Sequence, residues 1–133
     1  MRSQALTWNA AVLLSVAALL SFVARAFIDF GFVYRELYPS TRSIGILTLV
    51  HLGFIAGWIW ALLAASHKSR RAMYALLGYG AIIVLHGVVT LVSFCPFPCR
   101  TAWPVGQVII WSTLLLGISA VVAVLWSLAR KVA

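Results

Sequence analysis

Four long apolar segments dominate the chain, at residues 6–27, 44–65, 72–94 and 104–128, and short polar segments separate them. Each is about 20 residues or longer, and at about 1.5 Å per residue such a helix crosses the roughly 30 Å hydrocarbon core of a bilayer. The first segment is too long for the apolar core of a signal peptide, so we interpret it as a helix. The pattern predicts an all-α integral membrane protein, an up-down bundle of four transmembrane helices in one domain over residues 1–133.

Composition supports lipid as the main solvent of this chain. Hydrophobic residues make up 64% of it and charged residues 9%, whereas a soluble domain is about half apolar and about a quarter charged. A small soluble domain has too much surface for its volume to hide so many apolar side chains. The net charge of +8 does not indicate nucleic-acid binding, because the basic residues lie between apolar segments and no binding motif accompanies them. Lipid headgroups are their expected partners.

The distribution of basic residues predicts the orientation. Arg2, the turn at 67–71 and the pair Arg130 and Lys131 share one side after four crossings. The positive-inside rule makes that side cytoplasmic, so we expect a multi-pass plasma-membrane protein with both termini inside. The opposite side carries a weaker mixture of charges: Arg25, Asp29, Arg35, Glu36, Arg42 and Arg100.

Two histidines within the apolar segments are the most suggestive candidates for chemistry. His51 and His86 lie at nearly equal distances along the chain from the turn at 67–71, so a helical hairpin would place both imidazoles at one depth. Two imidazoles on facing helices can ligate a haem iron, or they can border a quinone site. Arg42 and Arg100, at the outer ends of these helices, are candidates to pair with haem propionates.

Other residues near the predicted histidine layer fit such a site. Gly87 leaves room beside His86 for a flat macrocycle, and Trp111 lies close to the same depth. Gln107 can donate a hydrogen bond to a quinone carbonyl, or it can bond a neighbouring helix. The histidines themselves have simpler alternatives, which are interhelical hydrogen bonding and the handling of protons or ions.

Cys95 and Cys99 are a second candidate pair for chemistry, and they lie in a proline-containing segment on the predicted outer side. An oxidising compartment permits a disulfide there, and we interpret the two cysteines as a structural disulfide. A redox-active pair is the alternative. With two cysteines in the chain, a relay between two cysteine pairs is excluded.

Small residues indicate where helices pack closely, and the absence of acidic residues from the predicted helices limits the possible functions. Gly53 and Gly57 form a G-x-x-x-G step that allows close helix approach, and we expect it to meet another chain or the first helix. Trp58 is expected at a lipid-facing or interfacial position. No carboxylate lies within a predicted helix, which argues against a proton-coupled exporter of the small four-helix kind.

These features lead to one functional hypothesis and two alternatives. The layout is similar to that of small membrane anchors of respiratory enzymes, although no motif allows functional residues of those proteins to be assigned to positions in this chain. We expect a small integral subunit of a larger redox or respiratory membrane complex, not catalytic by itself, with a haem b or quinone site between the second and third helices. The alternatives are a structural accessory subunit without a cofactor and a small oligomeric transporter or channel.

Overall fold

Four long α-helices account for most of the protein. The computed structural model describes residues 2–33, 40–94 and 104–130, and these contain no β-strand. We label the helices α1 (Arg2–Ile28), α2 (Thr41–Ser66), α3 (Arg70–Phe94) and α4 (Pro104–Ala129). All four are long and apolar enough to cross a membrane. The prediction of an all-helical chain is confirmed, and the largest difference in helix bounds is at the start of α1, at residue 2 where residue 6 was predicted.

Local sequence explains where the helices begin and end. Ser40 caps α2 by accepting a hydrogen bond from the backbone N–H of Ser43 at 3.1 Å, which satisfies a donor that the first helical turn leaves unpaired. After Ser66 the chain reverses through residues 67–69, where Lys68 adopts a positive φ of 65°. Helix α1 does not stop at Ile28 but widens into a π-helical turn, Asp29–Val33. Such turns occur frequently at functional sites.

The start of α1 packs against the reversal between α2 and α3. Trp8 Nε1 donates to the carbonyl of Ala65 at 2.9 Å, and Lys68 Nζ donates to Asn9 Oδ1 at 3.0 Å. The Lys68 ammonium also lies 5.7 Å from the centre of the Trp8 ring, a favourable cation–π arrangement. We call this the turn end of the molecule, and the end that carries Asp29 and Ser40 the loop end.

Helix α2 is the least completely packed of the four. The most extensive helix contact joins α1 and α4, and α2 lies against α1 and α3. Its buried residues all lie in its second half: Trp58, Ala61, Leu62 and Ala65. Toward the loop end its side chains are exposed or partly exposed, so a cleft opens between α2 and its neighbours there.

Aromatic packing closes the bottom of that cleft. The Trp58 and Tyr79 rings stack at 5.7 Å, and Phe54 meets both edge-on. Trp58 is fully buried, so its predicted lipid-facing position is wrong. A β-carbon at Gly57 would collide with the Tyr79 hydroxyl, whereas one at Gly53 would meet nothing within 4 Å. Gly57 therefore accommodates α3, and the expected contact with another chain or with α1 is corrected at this position.

Exposed apolar side chains cover the outside of all four helices. Leu13 is 68% exposed, Leu49 71%, Val92 73% and Leu115 59%. Monomeric soluble proteins rarely expose so continuous an apolar surface. These helices are suited to contact with a lipid bilayer.

Candidate functional site

A cavity of about 170 Å³ lies in the cleft between α1, α2 and α3. Two of its lining residues, Val50 and Ile82, are 61% and 53% exposed, so the cavity opens onto the apolar side of the molecule. Engineered apolar cavities of about 150 Å³ bind benzene, so the space matches a single six-membered ring. The lining residues are Phe22, Val50, His51, Phe54, Ile82, Ile83 and His86.

Both predicted histidines reach this cavity from opposite walls. His51 projects from the loop-end half of α2, and its Nδ1 lies 2.8 Å from the carbonyl oxygen of Leu47 on the same helix. Because a carbonyl only accepts hydrogen bonds, Nδ1 carries the proton and Nε2 is the acceptor nitrogen of a neutral His51. The imidazole stacks on Phe22 with centroids 5.9 Å apart, and Phe30 meets its edge at 4.9 Å.

His86 contributes an unsatisfied polar atom. Its Nδ1 is buried and has no hydrogen-bond partner among the residues that the structure describes. Buried polar atoms nearly always have a partner in a folded protein, and the exceptions call for a bound water, ion or ligand. A nitrogen of this kind can donate or accept according to its tautomer. His86 is therefore the wall residue best placed to bind a polar group inside the cavity.

A buried arginine lies next to the cavity, one turn beyond Phe22 toward the loop end, although it is not itself a lining residue. The Arg25 side chain is 3% exposed, and its Nε lies 3.4 Å from Asp29 Oδ2, one helical turn further along α1. Its Nη2 donates a hydrogen bond to Thr90 Oγ1 on α3, and Thr90 donates to the carbonyl of His86 at 2.7 Å. Arg25 and His51 are near enough to both Asp29 and His86 to interact with them electrostatically.

The π-helical turn explains how Asp29 comes to lie beside Arg25. The turn continues α1 past Ile28, so the carboxylate stays on the helix one turn beyond the arginine. The expectation that no carboxylate lies within a helix is therefore wrong, since Asp29 belongs to the first candidate membrane span, Arg2–Gly31. The lack of a helical carboxylate therefore gives no reason to exclude a proton-coupled exporter.

Arg25 was not predicted as a site residue, although the sequence contains a signal for it. Arg25 falls inside the predicted apolar segment 6–27, and a charged side chain at such a position usually faces the interior and has a function. A second polar contact lies one turn earlier on the same helix. The Ser21 and Thr113 hydroxyl oxygens are 2.7 Å apart and join α1 to α4.

Two further predicted site residues, Arg42 and Trp111, do not line the cavity. Arg42 is exposed in the first turn of α2. Trp111 is 46% exposed on α4 and is not a lining residue of the cavity. Gln107 is in α4, but its side chain lies outside the described residues, as do Arg100 and both predicted disulfide partners, Cys95 and Cys99. Their proposed roles stay predictions.

A haem does not fit between the two histidines in this arrangement. The cavity is smaller than the roughly 300–1,000 Å³ of typical ligand pockets, and a porphyrin is several times larger than one six-membered ring. Gly87 offers no extra room, because a β-carbon there would already lie 3.2 Å from Leu114 Cδ1. The glycine beside His86 accommodates α4, which corrects the expectation that it makes space for a macrocycle.

Comparison of the chain with protein-family models, with curated proteins and with solved structures finds no match. Within the described ranges, no three His, Cys, Asp or Glu side chains are grouped closely enough to hold a metal ion. The function must therefore be inferred from the cavity and its own polar groups.

Proposed function

We propose that this protein is a small integral membrane subunit of a larger redox assembly and that its cleft binds the ring of a lipid-soluble quinone. The observation that carries the proposal is a ring-sized cavity that has a histidine on each of two walls and opens between exposed apolar side chains. A ligand dissolved in the bilayer would enter such a site sideways, without crossing water.

The residues of the cleft suggest how such a ring would be held. Phe22, Phe54 and Ile83 supply an apolar surface that excludes water from the ring faces. The unsatisfied Nδ1 of His86 can donate to a carbonyl oxygen. When bound, a quinone supplies reversible uptake of electrons and protons, while the chain itself binds and orients the ring.

The proposed topology places the helices across the plasma membrane in up-down order, with both termini cytoplasmic. Contacts along α1 support this order, because Trp8 meets Ala65 at the turn end and Arg25 meets Thr90 at the loop end. An impermeant amine reagent on intact cells should leave Lys68 unlabelled and should label it in inverted vesicles. Labelling of Lys68 on intact cells would contradict the orientation.

A second candidate, a structural accessory subunit without a cofactor, is favoured by the environment of His51. That imidazole already bonds the carbonyl of its own helix and packs between Phe22 and Phe30. In this alternative both histidines only stabilise the bundle, and the cavity is a packing defect filled by a lipid chain.

Ligand binding separates the two candidates. The purified protein in nanodiscs would be titrated with a decyl-substituted 1,4-benzoquinone while tryptophan fluorescence is followed, since the buried ring of Trp58 lies 6.3 Å from Phe22 of the cavity wall. We expect saturable quenching that weakens about tenfold in His86→Ala, the equivalent of one lost hydrogen bond. His67→Ala, at an exposed histidine in the turn, is the matched control and should bind as the wild type does. Quenching that is unsaturable, or equal in His86→Ala, would favour the structural subunit.

A further inference from the structure

We infer that Arg25 determines the specificity of the cleft by selecting quinones that carry an anionic oxygen over neutral ones. The inference rests on the proposed function and adds to it the charge of the preferred ligand. No sequence motif indicates this role, which depends on contacts between α1 and α3.

Neighbours on two helices fix Arg25 in the layer next to the cavity, on its loop-end side. Phe22, which lines the cavity, lies three residues before Arg25 and therefore on the same face of α1. Across the cleft, Arg25 Nη2 donates to Thr90, and Thr90 lies one turn beyond the cavity residue His86. The guanidinium thus bridges α1 and α3 in the layer directly next to His86.

The guanidinium retains unused hydrogen-bond donors although it is almost fully buried. Neither Nη1 nor Nε has a hydrogen-bond partner in the described part of the chain, and the side chain is 3% exposed. Asp29 lies beside Nε and Thr90 binds Nη2, so the Nη1 group is the part left for a ligand. Unsatisfied buried donors are costly. His86 Nδ1, which donates in one of its two tautomers, is a further buried polar atom without a partner among the described residues.

The chemistry of these donors favours an anion. A hydrogen bond from a guanidinium to a charged oxygen is roughly twice as strong as one between neutral groups. Low dielectric around a buried site strengthens the charge interaction further. A ring substituted with an ionised hydroxyl group therefore gains from Arg25 what a neutral ring of the same shape does not.

Two ligands that differ only in this group test the inference. One is a 2-decyl-1,4-benzoquinone and the other is its 3-hydroxy derivative, an acidic hydroxyquinone that is ionised at neutral pH. Affinities would be measured by the fluorescence titration described above. We expect the wild type to bind the anionic ligand about tenfold or more tightly than the neutral one. In Arg25→Gln the preference should disappear, so the affinities for the two ligands should agree within about threefold.

Matched variants keep the outcome clear. Arg130→Gln removes an exposed arginine at the turn end and should retain the wild-type preference, and Arg25→Lys should retain part of it. If Arg25→Gln does not fold, the double variant Arg25→Gln/Asp29→Asn removes both charges of the buried pair together and should also abolish the preference. A preference that survives Arg25→Gln, or survives the double variant when that variant is needed, would overturn the role of Arg25. Neutral binding that depends on His86 without any preference in the wild type would overturn this inference alone, whereas failure of both ligands to bind would overturn the proposed function.

Discussion

Replacing Asp29 by asparagine should destabilise the protein, because it leaves the buried guanidinium of Arg25 without its counter-charge. The two groups are 3.4 Å apart, with side chains 3% and 14% exposed. Unit charges at that separation attract by about 5 kcal/mol at an effective dielectric constant of about 20. Two effects offset part of this loss. The variant no longer pays the desolvation cost of a buried carboxylate, and the asparagine amide still interacts with the guanidinium as a polar group. We expect Asp29→Asn to lower the free energy of unfolding by about 3 kcal/mol.

A double-variant cycle isolates the charge pair from other effects. Unfolding of each protein in mixed micelles would be followed by circular dichroism during titration with a denaturing detergent. Arg25→Met removes the charge and also the hydrogen bond to Thr90, so it should be destabilising by itself. Adding Asp29→Asn to Arg25→Met should then cost much less than Asp29→Asn alone, because no buried charge remains to be compensated. A cost below about 0.5 kcal/mol for Asp29→Asn, or equal costs with and without Arg25, would refute the charge-pair argument.

Three further predictions concern packing and the loop-end covalent link. Gly57→Ala should destabilise by about 1–3 kcal/mol through collision with the tyrosine hydroxyl of α3, whereas Gly53→Ala, which meets nothing within 4 Å, should be neutral or stabilising by up to about 1 kcal/mol; equal effects in thermal unfolding would contradict this packing. Trp8→Phe should cost about 1 kcal/mol in the same assay, since the Ala65 carbonyl loses the indole donor at 2.9 Å and keeps the backbone N–H of Lys68, and an unchanged midpoint would argue against this contact. Cys95 and Cys99 should form a disulfide that stabilises by no more than about 2 kcal/mol, and free thiols at both positions in the mass spectrum of the unreduced protein would disprove it.

The helices were predictable because the bilayer imposes a minimum length on any apolar segment that crosses it. Each predicted segment corresponds to one observed helix, and the depth argument for His51 and His86 needed only a count of residues from the shared turn. The structure places both imidazoles at the cavity wall, as that count suggested. The positions of the two histidines along their segments determine their relative depth, whichever helices pack beside them.

The wall opposite the histidine helices was not predictable in the same way. Arg25 and Phe22 come from α1, and their contact with the cleft depends on how α1 is rotated about its own axis. Trp58 and Trp111 show the same difficulty, because one was expected at the lipid surface and is buried, whereas the other was expected near the site and is half exposed. In an almost uniformly apolar helix, the hydrophobic pattern says little about which face points inward.

The sequence by itself therefore determined the number of helices, their lengths and the relative depth of residues along them, since backbone rise and bilayer thickness act on each segment separately. The tertiary structure alone decided which faces meet, because that depends on complementary shapes on two helices at once. The fit of Gly57 to Tyr79, the closure of Gly87 against Leu114 and the reach of Arg25 to Thr90 are of this kind. The structural role of a small residue or a buried donor in a membrane helix depends on the side chain that packs against it.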